Sequence, residues 1–210
     1  MSELFSIQLQ NRQQQGRDGV WLDLPTTTEQ VQAALRQIGI SSDNPQGLFI
    51  SGYFAEEEKR FAIPYNMVLA SNVDELNFLA ARLETLSAGE RAELNAALQA
   101  PQSELFSIGR ITDFPENVDY YVHLPDVRGP AQLGDYYLNR SGMVDMPEEW
   151  KGGIDTAQFG RYVTQQEQGA FTQYGYLVKS GDEWQKVYEG QPVPEEYRVL
   201  SFHASEILRD

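Results

Sequence analysis

The sequence has no cysteine and only two histidines, His123 and His203. The missing thiols exclude disulfides and thiolate zinc sites. The two imidazoles lie about eighty positions apart, and neither has a partner at the spacing of metal ligands. No apolar run approaches the ~20 residues of a membrane span, and residues 1–10 lack the basic start and apolar core of a signal peptide. We therefore expect a soluble, cytoplasmic protein with no membrane partner.

Positive charge is also scarce, because 16 lysines and arginines face 31 carboxylates, giving a net charge of −15. The excess is spread along the chain, with −3 in residues 1–65, −6 in 66–125 and −6 in 126–210. Nucleic acid is not an expected partner, since backbone phosphates repel such a surface. Two interpretations stay open: the charge serves solubility, or it forms a surface that meets a basic groove.

Motifs for catalysis are missing as well, since no GxSxG, Walker A, GxGxxG or HExxH occurs. Glu56, Glu57 and Glu58 could hold a divalent cation, but consecutive carboxylates in a turn are more typical of a solvated surface. The sequence therefore predicts no catalytic residue, no metal site, no cofactor and no enzyme. A deep pocket with converging Asp, Glu or His side chains would reverse that prediction.

Residues 1–65 are predicted to form a small N-terminal α/β domain with an antiparallel sheet. The apolar pattern predicts three strands, at residues 5–9, 20–24 and 48–54. A helix is predicted to begin at residues 26–28, where threonines can cap it, and to end at Gly39.

Residues 66–125 are predicted to form a mainly helical central domain. Asn72 and Ser87 are suited to cap two helices with apolar stripes, the second through a capping box. Ser103 is the candidate cap of a third helix, over residues 105–111. The acidic residues of these helices fall mostly off the apolar stripes and are expected to face solvent.

Residues 126–210 are predicted to form a C-terminal α/β domain. Pro130 and Asp155 are suited to begin helices, and Gly160 is expected to let another element pack closely. Three strands are predicted, at residues 170–178, 184–188 and 197–202. The fold class that follows is α+β, in three small domains.

Five blocks resemble, in order, the antirestriction protein ArdA family, which conjugative plasmids and transposons carry. They are GVWLDLP (19–25), LFISGYFAEE (48–57), SNVDELNFLAARLETL (71–86), YYVHLPDVRGPAQLGDYYLNRSG (120–142) and IDTAQFGRYVTQQEQGAFTQYGYL (154–177). Each block alone is weak evidence, but together they cover most of the chain in family order.

The resemblance implies an elongated, curved chain of three small domains that forms a homodimer through its C-terminal domain. Such a dimer resembles bent duplex DNA and occupies the DNA groove of type I restriction–modification enzymes. It thereby protects an incoming mobile genetic element from cleavage. Residues 154–177 are then scaffold of the dimerising domain and not an active site.

The resemblance also implies a partner-binding surface built from carboxylates. The candidate residues are Glu56, Glu57, Glu58, Asp74, Glu75, Glu84, Glu90, Glu93, Glu104, Asp113, Glu116, Asp119, Asp126, Asp135, Asp145, Glu148, Glu149, Asp155 and Glu167. Two positions depart from the family pattern, since Gln158 and Tyr162 stand where the family has acids. The alternative function is an acidic scaffold or adaptor that binds another protein without DNA mimicry.

Overall fold

The structure is a computed structural model that describes residues 4–14, 18–41, 46–56, 61–101 and 103–200. The chain divides into two compact units. Unit 1 comprises Met1–Leu86, Leu105–Pro115 and Lys186–Asp210, and unit 2 comprises Ser87–Glu104 and Glu116–Gln185. Each contains helices and a small antiparallel sheet, which confirms the mixed α and β composition. The division into three domains stays a prediction.

The described residues form two sheets and a set of mostly short helices. The strands are β1 (Phe5–Asn11), β2 (Val20–Leu24), β3 (Leu48–Phe54), β4 (Tyr121–Leu124), β5 (Ala170–Thr172) and β6 (Gly175–Lys179). The α-helices are α1 (Thr28–Gln37), α2 (Tyr65–Leu69), α3 (Val73–Glu84), α4 (Ala88–Gln99), α5 (Ile108–Asp113), α6 (Pro130–Asp135), α7 (Glu148–Lys151) and α8 (Thr156–Glu167). Short 3-10 turns occur at Phe114–Glu116, Val118–Tyr120 and Glu195–Tyr197, and a π-helical turn occurs at Tyr136–Arg140. None of these described helices combines the length and apolarity needed to cross a bilayer.

The sheet of unit 1 has the order β2-β1-β3, and both pairings are antiparallel. Phe5, Ile7 and Leu9 on one face of β1 are at most 2% exposed. Burial of these apolar side chains stabilises the sheet on its core side. The three predicted strands and their antiparallel arrangement are thereby confirmed.

Helix α1 begins with a capping box. The Thr27 hydroxyl accepts the N–H of Gln30, and Gln30 Oε1 accepts the N–H of Thr27 at 3.0 Å. These bonds satisfy N–H groups that have no partner within the helix. Gly39 follows the helix at φ +70°, in the left-handed region that favours glycine. The predicted start and end of this helix are confirmed.

The N-terminal cap was predicted correctly for helix α3 of unit 1 but not for helix α5. Asn72 caps α3 as predicted, since its Oδ1 accepts the N–H of Glu75 at 2.9 Å. The prediction that Ser103 caps the third helix is wrong, because the cap of α5 is Ser107, whose Oγ accepts the N–H of Arg110 at 3.2 Å. Both serines precede apolar residues, so local sequence alone does not distinguish them.

Residues 186–200 return to unit 1 as an irregular segment. The strands predicted at residues 184–188 and 197–202 are wrong for the part that the structure describes, which ends at residue 200 and contains neither. Tyr188 and Tyr197 both pack against Phe78, with ring centroids 4.9 and 4.7 Å apart. The apolar pattern therefore marks ring packing on α3 and not the alternation of a strand.

The sheet of unit 2 has the order β4-β6-β5 and is antiparallel. The single strand predicted over residues 170–178 is wrong, because β5 and β6 form a hairpin there. Gly175 lies at the turn with φ +127°, a conformation that other residues rarely adopt. Tyr176 of β6 is fully buried with Val127 and Leu133 in the core of this unit.

Helices α6 and α8 of unit 2 contact each other through their backbones. A Cβ added at Gly160 would lie 1.8 Å from the carbonyl oxygen of Pro130, and one at Gly134 would lie 1.9 Å from that of Thr156. Glycine at both positions permits this approach, as predicted for Gly160. Asp155 caps α8, also as predicted, and accepts two N–H groups of the first turn at 2.9 and 3.0 Å.

Candidate functional site

Fifteen carboxylates among the described residues are well exposed, and we call them the exposed carboxylates. Eight belong to the predicted partner-binding set, namely Glu56, Glu116, Asp119, Asp126, Asp145, Glu148, Glu149 and Asp155. Seven were not predicted, namely Asp18, Asp23, Glu29, Asp182, Glu183, Glu195 and Glu196. Glu57 and Glu58 of the predicted set lie outside the described residues. Unit 1 holds six of the fifteen and unit 2 holds nine.

Exposed cations are fewer in the same part of the chain. The seven are Arg12, Arg36, Arg128, Arg140, Arg161, Lys179 and Lys186, three in unit 1 and four in unit 2. Some are already neutralised within the chain. Arg140 pairs with Asp135 at 3.1 Å, and Lys179 pairs with Glu104 at 2.7 Å. The charge that the described residues of each unit expose is therefore mainly negative.

Eight other predicted carboxylates are half-buried, namely Asp74, Glu75, Glu84, Glu90, Glu93, Glu104, Asp135 and Glu167. The acids on α3 and α4 were expected to face solvent, and their side chains are only partly exposed. Glu90 shows one reason, because it closes the capping box of α4 by accepting the N–H of Ser87 at 2.7 Å. Hydrogen bonds from Ser87 lower the pKa of the Glu90 carboxyl below its ordinary value. Acids of this kind stabilise local structure in addition to contributing negative charge.

Asp113 corrects the predicted set, because the structure buries it completely. Its carboxylate accepts the N–H groups of Val187, Tyr188 and Glu189 at 3.3, 2.7 and 3.2 Å. A buried carboxylate is tolerated when such charge-assisted bonds replace water. Asp113 has no area to offer a partner and instead anchors the irregular segment to α5.

Asp74 anchors the far end of the same segment to α3. Its Oδ1 accepts the N–H groups of Val199 and Leu200 at 2.7 and 2.9 Å. Asn77, one turn further along, donates from Nδ2 to the carbonyl oxygen of Tyr197 at 3.0 Å. Sequence reasoning missed these roles, because each bond joins residues at least 120 positions apart.

Glu167 bridges two tyrosines inside unit 2. Tyr137 donates to its Oε1, and Tyr176 donates to its Oε2 at 3.0 Å. Burial, and then the neighbouring carboxylate, raise the pKa of both phenols well above the ordinary value. Both phenols therefore stay protonated at neutral pH, and their bonds hold the end of α8 against β6 through Tyr176 and against the π-helical turn through Tyr137.

Glu93 on α4 is a carboxyl whose charge depends on pH near neutrality. It is half-buried, and its Oε1 is buried with no hydrogen-bond partner. Burial, and then the negative charges of Asp119 and Glu90, raise the pKa of Glu93 to about 8. Glu93 is thus mainly protonated at pH 7 and adds little to the negative charge there.

A cavity of about 370 Å³ lies in unit 1, between α5 and residues 188–193. Its two carboxylates are committed to structural bonds, since Glu189 pairs with Arg110 at 3.2 Å and Glu75 belongs to the capping box of α3. His123 lies elsewhere, on β4, with Nε2 2.9 Å from the carbonyl oxygen of Tyr174. No group of three or more His, Asp or Glu within the described ranges is arranged to hold a metal ion.

Comparison with known proteins gives a family match. The family model of the antirestriction protein (ArdA) matches residues 15–178, which is most of the chain. Nothing among the curated proteins matches. The matched range contains all five of the sequence blocks, and it ends before the irregular segment 186–200 that Asp74 and Asp113 anchor.

Proposed function

This chain belongs to the ArdA family of antirestriction proteins, and we propose that it binds the DNA groove of a type I restriction–modification enzyme in place of DNA. Family membership confirms the resemblance seen in the sequence, and it implies an antirestriction function. The DNA mimicry, the type I enzyme as partner and the cytoplasm as the place of action are our proposal. So is the absence of any catalytic role.

The observation that carries the proposal is the imbalance of exposed charge. Among the described residues, unit 1 has six exposed carboxylates and three exposed cations, and unit 2 has nine exposed carboxylates and four exposed cations. Duplex DNA presents about one negative charge per ~1.7 Å of its axis, and proteins that bind it line their grooves with lysine and arginine. A surface of exposed carboxylates can pair with those cations as phosphates do.

Inhibition then follows from occupation of the groove. Ion pairs between the exposed carboxylates and the groove cations would exclude DNA, and no covalent bond need form or break. Because exposed ion pairs are screened by salt over a distance of about 10 Å at 0.1 M ionic strength, affinity should fall as salt rises. The many weak pairs should act together, since each exposed pair contributes only about 0–1 kcal/mol.

We also propose a homodimer formed through unit 2. The three most exposed large apolar side chains among the described residues of this unit are Met143, Trp150 and Tyr162, which are 74%, 68% and 58% accessible. Association of two copies would remove such surface from water. Sedimentation of the wild type and of Trp150→Ala tests this: a dimer that the substitution weakens supports it, and a monomeric wild type at micromolar concentration contradicts it.

The first experiment is a competition titration. The purified protein is added to a type I restriction–modification enzyme bound to labelled duplex, at low and at moderate salt. We expect displacement near stoichiometric protein and weaker displacement at the higher salt. No displacement at large excess would contradict DNA mimicry and favour the acidic adaptor, for which recovery of other bound proteins is the next step.

A charge-removal variant shows whether the carboxylates cause the displacement. The quadruple variant Asp126→Asn, Asp145→Asn, Glu149→Gln, Glu183→Gln changes only exposed carboxylates of unit 2. We expect it to fold normally and to need far more protein for the same displacement. The matched control is Arg161→Gln, which removes an exposed cation from the same unit and should leave displacement unchanged or strengthen it.

A further inference from the structure

The outer face of the N-terminal sheet carries an exposed aromatic pair. The side chains of Trp21 on β2 and Phe54 on β3 are 49% and 58% accessible. Their ring centroids lie 6.5 Å apart, with the ring planes at 73°. An exposed tryptophan and phenylalanine that contact each other across a sheet present aromatic surface to solvent, and aromatic rings attract cations to their faces.

Strand pairing sets the geometry of this aromatic pair. One row across the sheet is Trp21, Gln8 and Gly52, and the next row on the same face contains Phe54. A Cβ added at Gly52 would lie 3.0 Å from Cη2 of Trp21. The indole therefore lies across the middle strand and above Gly52, where a larger residue would displace it. The aromatic pair is a preformed platform.

A carboxylate stands beside the platform. Asp23 lies two residues after Trp21 on β2, so the two side chains share the outer face. It occupies the same row as Phe54, and one of its oxygens accepts the hydroxyl of Ser6 at 2.6 Å. An aromatic face and a neighbouring carboxylate both attract a cation, so together they define the chemistry of a ligand.

The same sheet already shows one such contact within the chain. The guanidinium of Arg12 lies 5.3 Å from the ring centroid of Phe49 on β3. No cation among the described residues lies over Trp21 or Phe54. Within the described part of the chain, the solvent-exposed side of each ring is therefore not covered by a cation.

We propose that Trp21, Phe54 and Asp23 form a docking point for one arginine or lysine side chain of the restriction enzyme. This inference rests on the proposed function and adds a contact that phosphate mimicry does not supply. A cation held against an indole is attracted by the ring quadrupole, and the attraction grows when the pair is shielded from water. The contact should therefore survive at salt concentrations that screen the exposed carboxylates.

The first test compares Trp21→Leu with the wild type in the competition titration at moderate salt. Leucine keeps an apolar side chain but has no aromatic face, so we expect affinity to fall about fivefold to thirtyfold. The matched control is Phe106→Leu in the same unit. Phe106 is 60% exposed, but its ring already lies 4.6 Å from the guanidinium of Arg110, so the affinity of this variant should stay within about twofold.

A second test separates the ring quadrupole from ring size. Protein made with mono-, di- and trifluorinated tryptophan keeps the shape of the indole while the negative charge on its face decreases step by step. Affinity should fall with each fluorine in the wild type and should not change with fluorination in Trp21→Leu, which retains Trp150 and Trp184. An equal trend in both proteins would overturn the assignment to Trp21.

A third measurement needs no enzyme. N-acetyl-argininamide is added to isotope-labelled protein, and we expect its binding to shift the resonances of the Trp21 indole and of Asp23, and these shifts to be absent in Trp21→Leu. If the protein displaces DNA from the enzyme but Trp21→Leu has the affinity of the wild type, the docking point is overturned and the proposed function stands. If the protein does not displace DNA from the enzyme, the proposed function is wrong. The argininamide shifts alone then show whether Trp21 and Asp23 bind a cation. Self-association that Trp21→Leu abolishes would assign the face to a second copy and overturn the proposal.

Discussion

Unit 1 and unit 2 hold their elements together in different ways. In unit 1, the carboxylates of Asp74 and Asp113 accept five main-chain N–H groups and anchor residues 186–200 to two helices. In unit 2, α6 and α8 meet backbone to backbone at Gly134 and Gly160. The acids of unit 1 therefore hold a distant segment through its main chain, whereas the contact between α6 and α8 in unit 2 depends on close packing at glycines.

The difference shows that acidic residues in this chain have two separate roles. An acid that accepts several buried N–H groups supports stability, and its removal leaves those donors without a partner. An exposed acid that caps no helix contributes little to stability and is available to a partner. Substitutions that alter folding can thus be distinguished from substitutions that alter binding, and four predictions test this distinction.

The largest effect is expected for Asp113→Ala. The substitution leaves the N–H groups of residues 187–189 without their acceptor inside unit 1, and hydrogen bonds to charged groups are among the strongest in proteins. We expect the free energy of unfolding to fall by about 3–4 kcal/mol. Urea denaturation followed by circular dichroism measures it.

Asp145→Ala is the matched control, because Asp145 is exposed in unit 2. Its effect on the free energy of unfolding should stay within about 0.5 kcal/mol. If both variants lost the same free energy of unfolding, burial of Asp113 would not add to stability. The distinction between buried and exposed acids would then be wrong.

The second largest effect is expected for Gly160→Ala, which tests the packing of unit 2. The added methyl group would lie 1.8 Å from the Pro130 carbonyl oxygen, so α6 and α8 must separate. We expect a loss of about 2–3 kcal/mol. Gly152→Ala is the control, because a Cβ there meets nothing within 4 Å. A Gly160→Ala protein as stable as that control would contradict the close contact.

Sequence reasoning succeeded where the evidence lay within a few residues. The caps at Asn72 and Ser87 and the close approach at Gly160 were all predicted, because each depends on a local pattern or on a single glycine. It failed where partners are distant. Nothing near Asp113 in the sequence indicates that its carboxylate accepts N–H groups from residues more than 70 positions away. Asp23 was also missed, although it alternates with buried leucines on β2, a pattern that indicates an outward side chain.

A smaller, pH-dependent effect is expected for Glu93→Gln. The pKa of Glu93 rises from its ordinary 4.5 to about 8 in the folded protein. The folded state therefore keeps a proton that the unfolded chain loses above pH 4.5, and the stability of the wild type falls as pH rises towards 8. Glutamine has no proton to lose, so the variant should gain stability relative to the wild type from pH 5 to pH 9.

Thermal melting across that pH range measures the Glu93 effect. Glu149→Gln, an exposed control in the same unit, should follow the wild type at every pH. A difference between Glu93→Gln and the wild type that does not change with pH would mean that Glu93 is already ionised in the folded protein.

The smallest effect is expected for a single exposed carboxylate. Each exposed ion pair is worth about 0–1 kcal/mol, and neighbouring acids partly compensate for the loss of one. Asp126→Asn alone should therefore weaken displacement of the restriction enzyme by no more than about fivefold, whereas the quadruple variant should weaken it far more. The same titration measures both. If one substitution among the exposed carboxylates abolished inhibition, the negative charge would act at a single point, and a distributed mimic of phosphates would no longer describe how this protein binds.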